Sequence, residues 1–546
     1  MKKNYLLYIF VTALVVGFSS CSDFLDRYPQ EELSDGSFWK TPKDAEMAVS
    51  NLYNYLPSPN TQDEDINTDN AVMGIKWAAG NISKGIYDPA DQGWSDEYAN
   101  IRQCNLILSK IDEISNYPET DKNKVLGQVY FFRAYIYFNL IRSFGDVPYI
   151  DKPLDLREMD GITRTPRTEV YEKVMTDFDR AIAALPDQWP DSDYGRITKG
   201  AARAMKARAA IYYNNWDVAA SEAKKVIDSG LYELYDKDNT GKYAELFWEV
   251  ADGCKENILF RQFNYPDNVN GLIGWEAFPT KGWGGMNPTQ NLVDAFEDIE
   301  GSPISKSKIY DSTDPFKNRD PRLEVAVLHD GEEMYGVTIK VAPLASSGST
   351  GINQHNDATA TGYYGQKWLD PSIDPQSQGW DMGKDWVDIR YTEVLLTYAE
   401  AKNELKGLDP EAFDAVNQVR RRVGMPELQN TNASLPTYCA TQDDLRQRIR
   451  NEWRVEFCLE GDKRMWNIRR WGIAKDVLNA QYQGLKYKII KDPAIADPKD
   501  DGQICILYQG DPIILSGSRY SDNNYLFPVP QSEIDLNPAL TQNPGY

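Results

Sequence analysis

Apolar residues recur at helical spacing in several stretches of the chain. From Val125 to Phe144 an apolar side chain returns every three or four residues. The same spacing occurs in four further segments: 170–185, 200–213, 217–227 and 392–405. Another helix is predicted to begin after Thr41, because Pro42 suits a first helical turn and Asp44 completes a capping box. The pattern predicts a mainly α-helical protein whose hairpins are tetratricopeptide-like, without the regular period of about 34 residues.

Three long segments lack this periodicity: 58–97, 229–390 and 484–546. They are rich in Gly, Pro, Asn, Asp and aromatic residues, which predicts loops, turns and short strands. Loops longer than about 15 residues in a compact domain are usually functional or disordered. The many aromatic residues favour ordered, functional loops here.

The N-terminal residues have the order of a secretory signal. Lys2 and Lys3 precede an apolar run from Leu6 to Val16, and small residues then lead to Cys21. The run is too short to span a bilayer core of ~30 Å as a helix. The pattern resembles a bacterial lipobox, which predicts cleavage before Cys21 and its acylation, for example with palmitate. An ordinary signal peptide with an incidental cysteine is the alternative.

These patterns divide the chain into five predicted parts. They are a lipoprotein signal peptide (1–20), a lipid-proximal tether (21–40), an N-terminal helical region with a first ligand loop (41–228), an irregular ligand-binding region (229–390) and a C-terminal region (391–546).

Composition excludes several classes of partner and chemistry. A formal net charge of −23 repels phosphate backbones and argues against nucleic acid as a partner. The six cysteines have irregular spacings without Cys-x-x-Cys, which predicts mostly buried free thiols. Histidine is the commonest metal ligand and general base, and the chain has only His329 and His355. We therefore expect no metal and no cofactor.

Motifs for catalysis are also missing from the sequence. There is no Gly-x-Ser-x-Gly elbow and no Walker-type phosphate loop. Asp236 to Gly241 begins like an EF-hand loop, but its twelfth position is Phe247 instead of glutamate. A glycosidase needs only two carboxyl groups at a suitable separation, which a sequence cannot show. We expect a binding protein, and a surface polysaccharide hydrolase is the alternative from another class.

Short motifs follow one another in a fixed order over nearly the whole chain. They include Asp23-Phe24-Leu25-Asp26, Trp94 to Asn105, Arg133-Ala134-Tyr135, Phe144 to Pro148, Gly195 to Ala202, Arg390 to Leu396, Glu456 to Gly461, Arg470-Trp471-Gly472 and Phe527 to Pro530. In this order they resemble the SusD/RagB family, surface lipoproteins of Bacteroidetes that work with a TonB-dependent transporter. Most of the motif residues are interpreted as structural. Four of them are predicted ion-pair partners where helices meet: Arg390, Arg420, Arg470 and Glu456.

The resemblance implies a SusD-like fold on the extracellular face of the outer membrane. It also implies a SusC-like TonB-dependent transporter as partner and a nutrient glycan, an oligo- or polysaccharide, as ligand. The composition agrees, since 14 Trp, 33 Tyr and 18 Phe exceed what a core needs and aromatic rings stack on sugar C–H faces. A peptide-capturing, RagB-like transporter lid is the alternative within the family.

Candidate ligand residues lie in the long loops. Sugar hydroxyl groups would be bound by three polar side chains: Asp69, Asn70 and Asn81. Sugar rings would stack on six aromatic side chains: Trp77, Trp94, Tyr265, Trp275, Trp283 and Trp368. Trp94 is equally consistent with packing. Trp275 and Trp283 are the strongest candidates, because they sit among glycines that offer few neighbours to bury a ring.

Overall fold

The structure is a computed structural model that describes residues 38–59, 65–74, 86–87, 93–155, 157–515 and 519–546. The predicted signal peptide, Cys21, Trp77 and Asn81 lie outside these residues. Within them, no helix combines the length and apolar character needed to cross a membrane.

The N-terminal helical region follows the predicted periodicity closely. Its helices are α1 (Pro42–Leu52), α2 (Trp94–Lys110), α3 (Glu119–Phe144), α4 (Arg167–Ala184), α5 (Lys199–Tyr212) and α6 (Trp216–Asp228). The predicted capping box is present, since the Asp44 carboxylate accepts the Thr41 backbone N–H at 2.7 Å. For α1 and α3 to α6, the sequence pattern thus predicted both the existence and the approximate position of the helix, whereas α2 was not predicted from apolar spacing.

Short helices and strands interrupt the irregular region. The helices are α7 (Leu272–Glu276), α8 (Gln290–Val293) and α9 (Arg322–Ala326). The C-terminal region contains α10 (Tyr391–Lys406), α11 (Pro410–Arg422), α12 (Gln442–Phe457), α13 (Lys463–Arg470), α14 (Ala474–Asn479) and α15 (Gln531–Leu536). Helix α11 begins as predicted, because the Asp409 side chain accepts the Glu411 N–H at 2.9 Å.

The described strands are short and pair antiparallel. They are β1 (Ala71–Met73), β2 (Asn257–Arg261), β3 (Met286–Pro288), β4 (Val327–Leu328), β5 (Glu333–Met334), β6 (Val337–Thr338), β7 (Tyr364–Gly365), β8 (Trp386–Arg390), β9 (Gln483–Lys491), β10 (Gln503–Leu507) and β11 (Asp511–Ile514). β1 pairs with β3, β2 with β8, β4 with β7 and β5 with β6, while β9 lies between β10 and β11. The expectation of a mainly α fold with short strands is confirmed.

One apolar core joins the two helical regions. Small side chains let α5 and α6 approach closely, and the following alanines are buried: Ala204, Ala207, Ala210, Ala219, Ala220 and Ala223. Helix α10 packs against both α5 and α6. The core runs from Trp39 through these helices to Leu540. The N- and C-terminal helical segments are therefore one body, on which the irregular region is built.

Buried ion pairs connect the helices, as the signature arginines predict. Arg390 contacts Glu456 at 2.7 Å, Arg420 contacts Glu452 at 2.9 Å, and Arg470 contacts Glu400 at 2.7 Å. All six side chains are buried. Burying a charge without a partner is costly, so each of these pairs requires its two elements, β8 and α12, α11 and α12, or α10 and α13, to meet in one register.

Trp94 differs from its expected position in a loop. It is the first residue of α2, and its side chain packs edge-to-face on Phe144 with ring centroids 5.0 Å apart. Its side chain is only 3% exposed, so it is a core residue. The cysteines agree with expectation in the described part of the chain: Cys104, Cys439 and Cys458 are buried, and no disulfide is present there.

Adjacent arginines in α11 provide a matched test of the buried charges. Arg422 is fully buried against Glu256 and Glu456, whereas Arg421 is exposed and pairs with Glu427 on the surface. We expect Arg422→Gln to lower the free energy of unfolding by about 3–5 kcal/mol, because it removes one of the buried cations that compensate the Glu256 and Glu456 carboxylates. Arg421→Gln should change it by less than about 0.5 kcal/mol. Urea unfolding of both variants measures the difference, and equal effects would contradict it.

Candidate functional site

Two loops extend from the paired strands β2 and β8. The strands run antiparallel, with Arg261 opposite Trp386 and Asn257 opposite Arg390. One loop leaves the end of β2, and the other leads into the start of β8. The two loops therefore begin side by side, although more than a hundred residues separate them in the sequence.

The first loop folds around helix α7 and a glycine turn. The N–H of Trp283 donates to the Gly274 carbonyl at 2.9 Å, and the N–H of Gly285 donates to the Trp275 carbonyl at 2.7 Å. Gly284 has φ +57°, and a Cβ there would lie 2.7 Å from the Asp357 carbonyl oxygen. Only glycine suits this position, because both the backbone conformation and the space exclude a side chain.

The second loop is tied to the first by side chains and backbone. The Lys281 ammonium group contacts the Asp374 carboxylate at 2.7 Å, and the Gln376 amide donates to the Thr280 carbonyl at 2.5 Å. Asn270 and Met382 exchange backbone hydrogen bonds of 2.9 and 2.8 Å. These contacts fix the relative position of the two loops.

The tied loops carry four aromatic side chains that are exposed or half-buried, and we call this set the aromatic platform. It consists of Tyr265, Trp275, Trp283 and Trp380. Tyr265, Trp283 and Trp380 are each 46% exposed, and Trp275 is half-buried. If Gly274 carried a Cβ, that atom would lie 2.5 Å from the Cβ of Trp380. Trp380 therefore lies directly beside the segment that carries Trp275. Large rings exposed on a fixed backbone are suited to stack on a ligand.

A polar cavity of about 390 Å³ lies where the first loop leaves β2. It reaches the first loop at Asn268, which exchanges backbone hydrogen bonds with Asn264, next to Tyr265. Its other lining residues include Asn54, Asp193, Tyr194, Arg196, Arg261 and Gln262. Amide, carboxylate and guanidinium groups together offer both donors and acceptors for hydroxyl groups.

Several predicted ligand residues are engaged inside the protein instead. Asp69 contacts Arg454 at 2.7 Å and Arg464 at 2.9 Å. Burial alone would raise the pKa of Asp69, but the two arginines outweigh it and lower the pKa to about 2. Asn70 is fully buried, and its amide accepts from Arg454 at 2.8 Å. Neither side chain is exposed to a glycan.

Trp368 is likewise removed from the candidate site. It is 3% exposed, its indole N–H donates to the Leu459 carbonyl at 2.8 Å, and its ring lies 5.0 Å from that of Trp386. Together with the buried Trp94, it shows that an aromatic residue in a predicted loop can belong to the core. Trp77 and Asn81 follow Gly74, whose N–H donates to the Gly285 carbonyl at 2.8 Å, but they lie outside the described residues.

Trp380 belongs to the platform but is absent from the sequence-based candidates. Its sequence signal is the same as that of Trp275 and Trp283, since it directly follows a glycine, Gly379. Tyr194 was also missed; it is 43% exposed and packs on Phe260 with centroids 5.2 Å apart. No local signal marks Tyr194, because only the fold brings it to the cavity.

A larger cavity, about 840 Å³, lies near the C-terminus. Four arginines line it: Arg142, Arg167, Arg469 and Arg470. Its tyrosines, Tyr212, Tyr213 and Tyr525, are only partly exposed, so it offers no open ring face comparable to the platform. We therefore place the candidate ligand site at the platform.

A buried carboxylic acid lies next to the platform in sequence. Glu276 ends α7, is 1% exposed, and neither of its oxygens has a hydrogen-bond partner among the described residues. Burial raises its pKa to about 8, although Lys367 acts in the opposite direction. Burial therefore favours the neutral, protonated form of Glu276 at neutral pH.

Comparison with known proteins identifies the family. The SusD family matches residues 258–546, which include the platform and both of its loops. A second family, described as starch-binding and associating with the outer membrane, matches residues 23–212. The chain belongs to the SusD family. The resemblance seen in the ordered motifs is thus confirmed.

Relatives within the SusD family match along the whole chain. A SusD-like protein of Formosa agariphila is 26% identical over 582 residues, which cover 100% of both chains. A SusD-like protein of Bacteroides fragilis has a TM-score of 0.79 at 26% identity, covering 95% of this chain and all (100%) of that one. A SusD-like carbohydrate-binding protein of the same species has a TM-score of 0.77 at 26% identity, covering 92% and 100%. These structures confirm the SusD-like fold.

The protonation of Glu276 generates a pH-dependent prediction. Its pKa is raised on folding, so its contribution to stability is fully present below its ordinary pKa of 4.5 and is lost as pH rises through about 8. We expect the thermal unfolding midpoint to fall between about pH 4.5 and pH 8, and Glu276→Gln to flatten that fall. The exposed Glu300→Gln is the control and should keep the parent slope. A parent-like slope in Glu276→Gln would contradict the assignment.

Proposed function

We propose that this protein captures a glycan on the platform at the surface of the outer membrane. The observation that carries the proposal is the exposure of Tyr265, Trp283 and Trp380, each 46%, on loops fixed by hydrogen bonds and an ion pair. Two similarities support the proposal. One is to a carbohydrate-binding protein of similar fold, and the other is to the family described as starch-binding and associating with the outer membrane.

Recognition would combine stacking with hydrogen bonding. The apolar C–H face of a sugar ring would lie flat on Trp283 or Trp380. The hydroxyl groups of that sugar would then remain free to form hydrogen bonds. The polar cavity beside Asn268 would bind hydroxyl groups of a neighbouring sugar through Arg196 and Asn54. Several weak contacts along one chain add up through multivalency, so no single contact has to be strong.

Binding alone, without catalysis, is part of the proposal. Of the acids already described in the platform loops, Glu276 is 1% exposed and Asp374 is paired with Lys281. A glycosidase needs two carboxyl groups facing a cleft about 5–9.5 Å apart. We therefore expect incubation with a bound glycan to release no reducing ends.

Delivery to a transporter completes the proposed role. We propose that acylated Cys21 anchors the protein on the extracellular face of the outer membrane and that a SusC-like TonB-dependent transporter receives the glycan. Support comes from the lipobox-like order of residues before Cys21 and from membership of the SusD family. A tether raises the effective concentration of the protein at its transporter, so a modest affinity suffices.

Substitutions on the platform test glycan capture. Stacking on nucleic-acid bases is worth about 1–3 kcal/mol per ring, and we apply that scale to sugar faces. Trp283→Ala and Trp380→Ala should therefore each weaken glycan binding at least about fivefold. A panel of soluble polysaccharides in affinity gels first identifies a ligand of the parent protein, and calorimetry then measures each variant.

Ile495→Ala is the matched control for the loss of an exposed apolar side chain. Ile495 is 68% exposed between β9 and β10, away from the platform loops in the sequence. The Ile495→Ala variant should bind the glycan as the parent does. This variant, Trp283→Ala and Trp380→Ala should all keep the parent melting temperature. Parent-like binding by both tryptophan variants would contradict the platform as the ligand site. Released reducing ends would favour a hydrolase instead.

Replacing the anchor cysteine tests localisation and partner together. We expect the parent protein to remain in the outer-membrane fraction after a salt wash and to co-purify with a TonB-dependent transporter in mild detergent. Cys21→Ala should leave the membrane fraction and stay folded, as its circular dichroism would show. Retention of Cys21→Ala on the membrane would refute the lipid anchor, whereas recovery of the parent without a transporter would refute the partner.

A further inference from the structure

Glu324, His329 and Glu332 bring three metal-binding side chains together outside the platform. Their ligand atoms all lie within 4.8 Å of one another. The His329 Nε2 atom is 3.4 Å from the Glu324 Oε2 atom and 3.7 Å from the Glu332 Oε2 atom. We propose that these three residues form a binding site for a divalent transition-metal cation such as Zn²⁺.

Hydrogen bonding prepares the imidazole for a metal. The His329 Nδ1 atom lies 3.1 Å from the Asp330 carbonyl oxygen, which can only accept a hydrogen bond. This contact favours the tautomer that carries its proton on Nδ1, and in that tautomer the Nε2 lone pair faces the two carboxylates, ready for a cation. Metal-binding histidines typically donate their second nitrogen to a carbonyl or carboxylate in this way.

The separations suit a tetrahedral ion. Zinc bonds of about 2.0–2.2 Å to nitrogen and oxygen place neighbouring ligand atoms about 3.3–3.5 Å apart. The two distances from Nε2 are close to that value and exceed the usual 2.7–3.2 Å range for direct N–H···O hydrogen bonds. Three ligands would occupy three corners of the tetrahedron, and the half-exposed Glu324 leaves the fourth open to water.

The ligands are held by neighbouring structure. The Glu332 carboxylate accepts the His329 backbone N–H at 2.7 Å, and the His329 ring stacks on Phe316 with centroids 3.6 Å apart. Glu332 begins a hairpin whose strands, β5 and β6, pair directly after it, and Glu324 lies in α9. A bound ion would join this hairpin to α9 through the two carboxylates that converge on the His329 nitrogen.

The donor set indicates which cations should bind. One imidazole and two carboxylates suit Zn²⁺, Co²⁺ or Ni²⁺, whereas Ca²⁺ and Mg²⁺ prefer six or more oxygen ligands. The sequence alone led to the expectation of no metal, because the chain has only two histidines. The fold brings Glu324, His329 and Glu332 together, which their spacing in the sequence does not reveal.

Metal titration of the tag-free, full-length protein tests the site. We expect the parent protein, freed of metal with a chelator, to bind one Zn²⁺ per chain by calorimetry and to show a raised melting temperature in its presence. His329→Ala should abolish binding, and Glu324→Gln should weaken it at least tenfold. Glu324 is 47% exposed, so this variant stays folded even if His329→Ala does not.

Two controls separate this site from adventitious binding. His355→Ala removes the only other histidine, and Cys505→Ser removes a partly exposed thiol; both should bind Zn²⁺ as the parent does. Excess Ca²⁺ should not displace Zn²⁺. The proposal is overturned if the parent binds no Zn²⁺, if Glu324→Gln and His329→Ala bind it as tightly as the parent, or if Ca²⁺ competes effectively.

Discussion

Glu456 lies at the centre of a buried charge network that holds the irregular region to the helical body. Its carboxylate contacts Arg390 at 2.7 Å, Arg322 at 2.9 Å and also Arg422. Burial would raise the pKa of Glu456, but the three arginines outweigh it and hold the pKa well below its ordinary value. Each arginine comes from a different element, so the network forms only when all of them are in place.

The same network positions the loops of the candidate site. Arg390 ends β8, and Glu256, which precedes β2, accepts from Arg390 at 2.9 Å and from Arg422 at 2.7 Å. One end of the β2–β8 pair is therefore clamped to the helices, and the platform loops extend from the other end. Below these loops lies a small apolar cluster that contains Leu272, Ile273, Ala277, Trp368 and Trp386. Trp368 thus supports the platform without contacting a ligand.

Helices could be predicted because their signals are local. Apolar spacing and end signals such as the Thr41–Asp44 capping box gave helix positions that differ from the observed ones by a few residues. The ion-pair role of the signature arginines was also predictable from residue type. Which acid each arginine meets was not, because Arg422 and Glu256 are brought together only by the fold.

The candidate site was only partly predictable for a related reason. A glycine neighbour alone does not make a tryptophan exposed: Gly93 precedes Trp94, yet an amphipathic helix follows and buries the ring. Asp69 and Asn70 have residue types suited to sugars, but their partners are arginines almost four hundred residues away in the sequence. Residue type indicated the chemistry in each case, whereas burial depended on distant parts of the chain.

The glycines of the platform loops are important because they have no side chain. In the turn that carries Trp283, a Cβ on Gly282 would lie 2.4 Å from the Gly274 carbonyl oxygen, so the backbone segments touch because no side chain separates them. The same absence of side chains leaves the neighbouring rings without atoms to cover them. Tight backbone contacts then fix the exposed rings, which reduces the entropy lost when a ligand orders them. A glycine-rich composition thus gives both the rigidity and the exposure that a stacking surface needs.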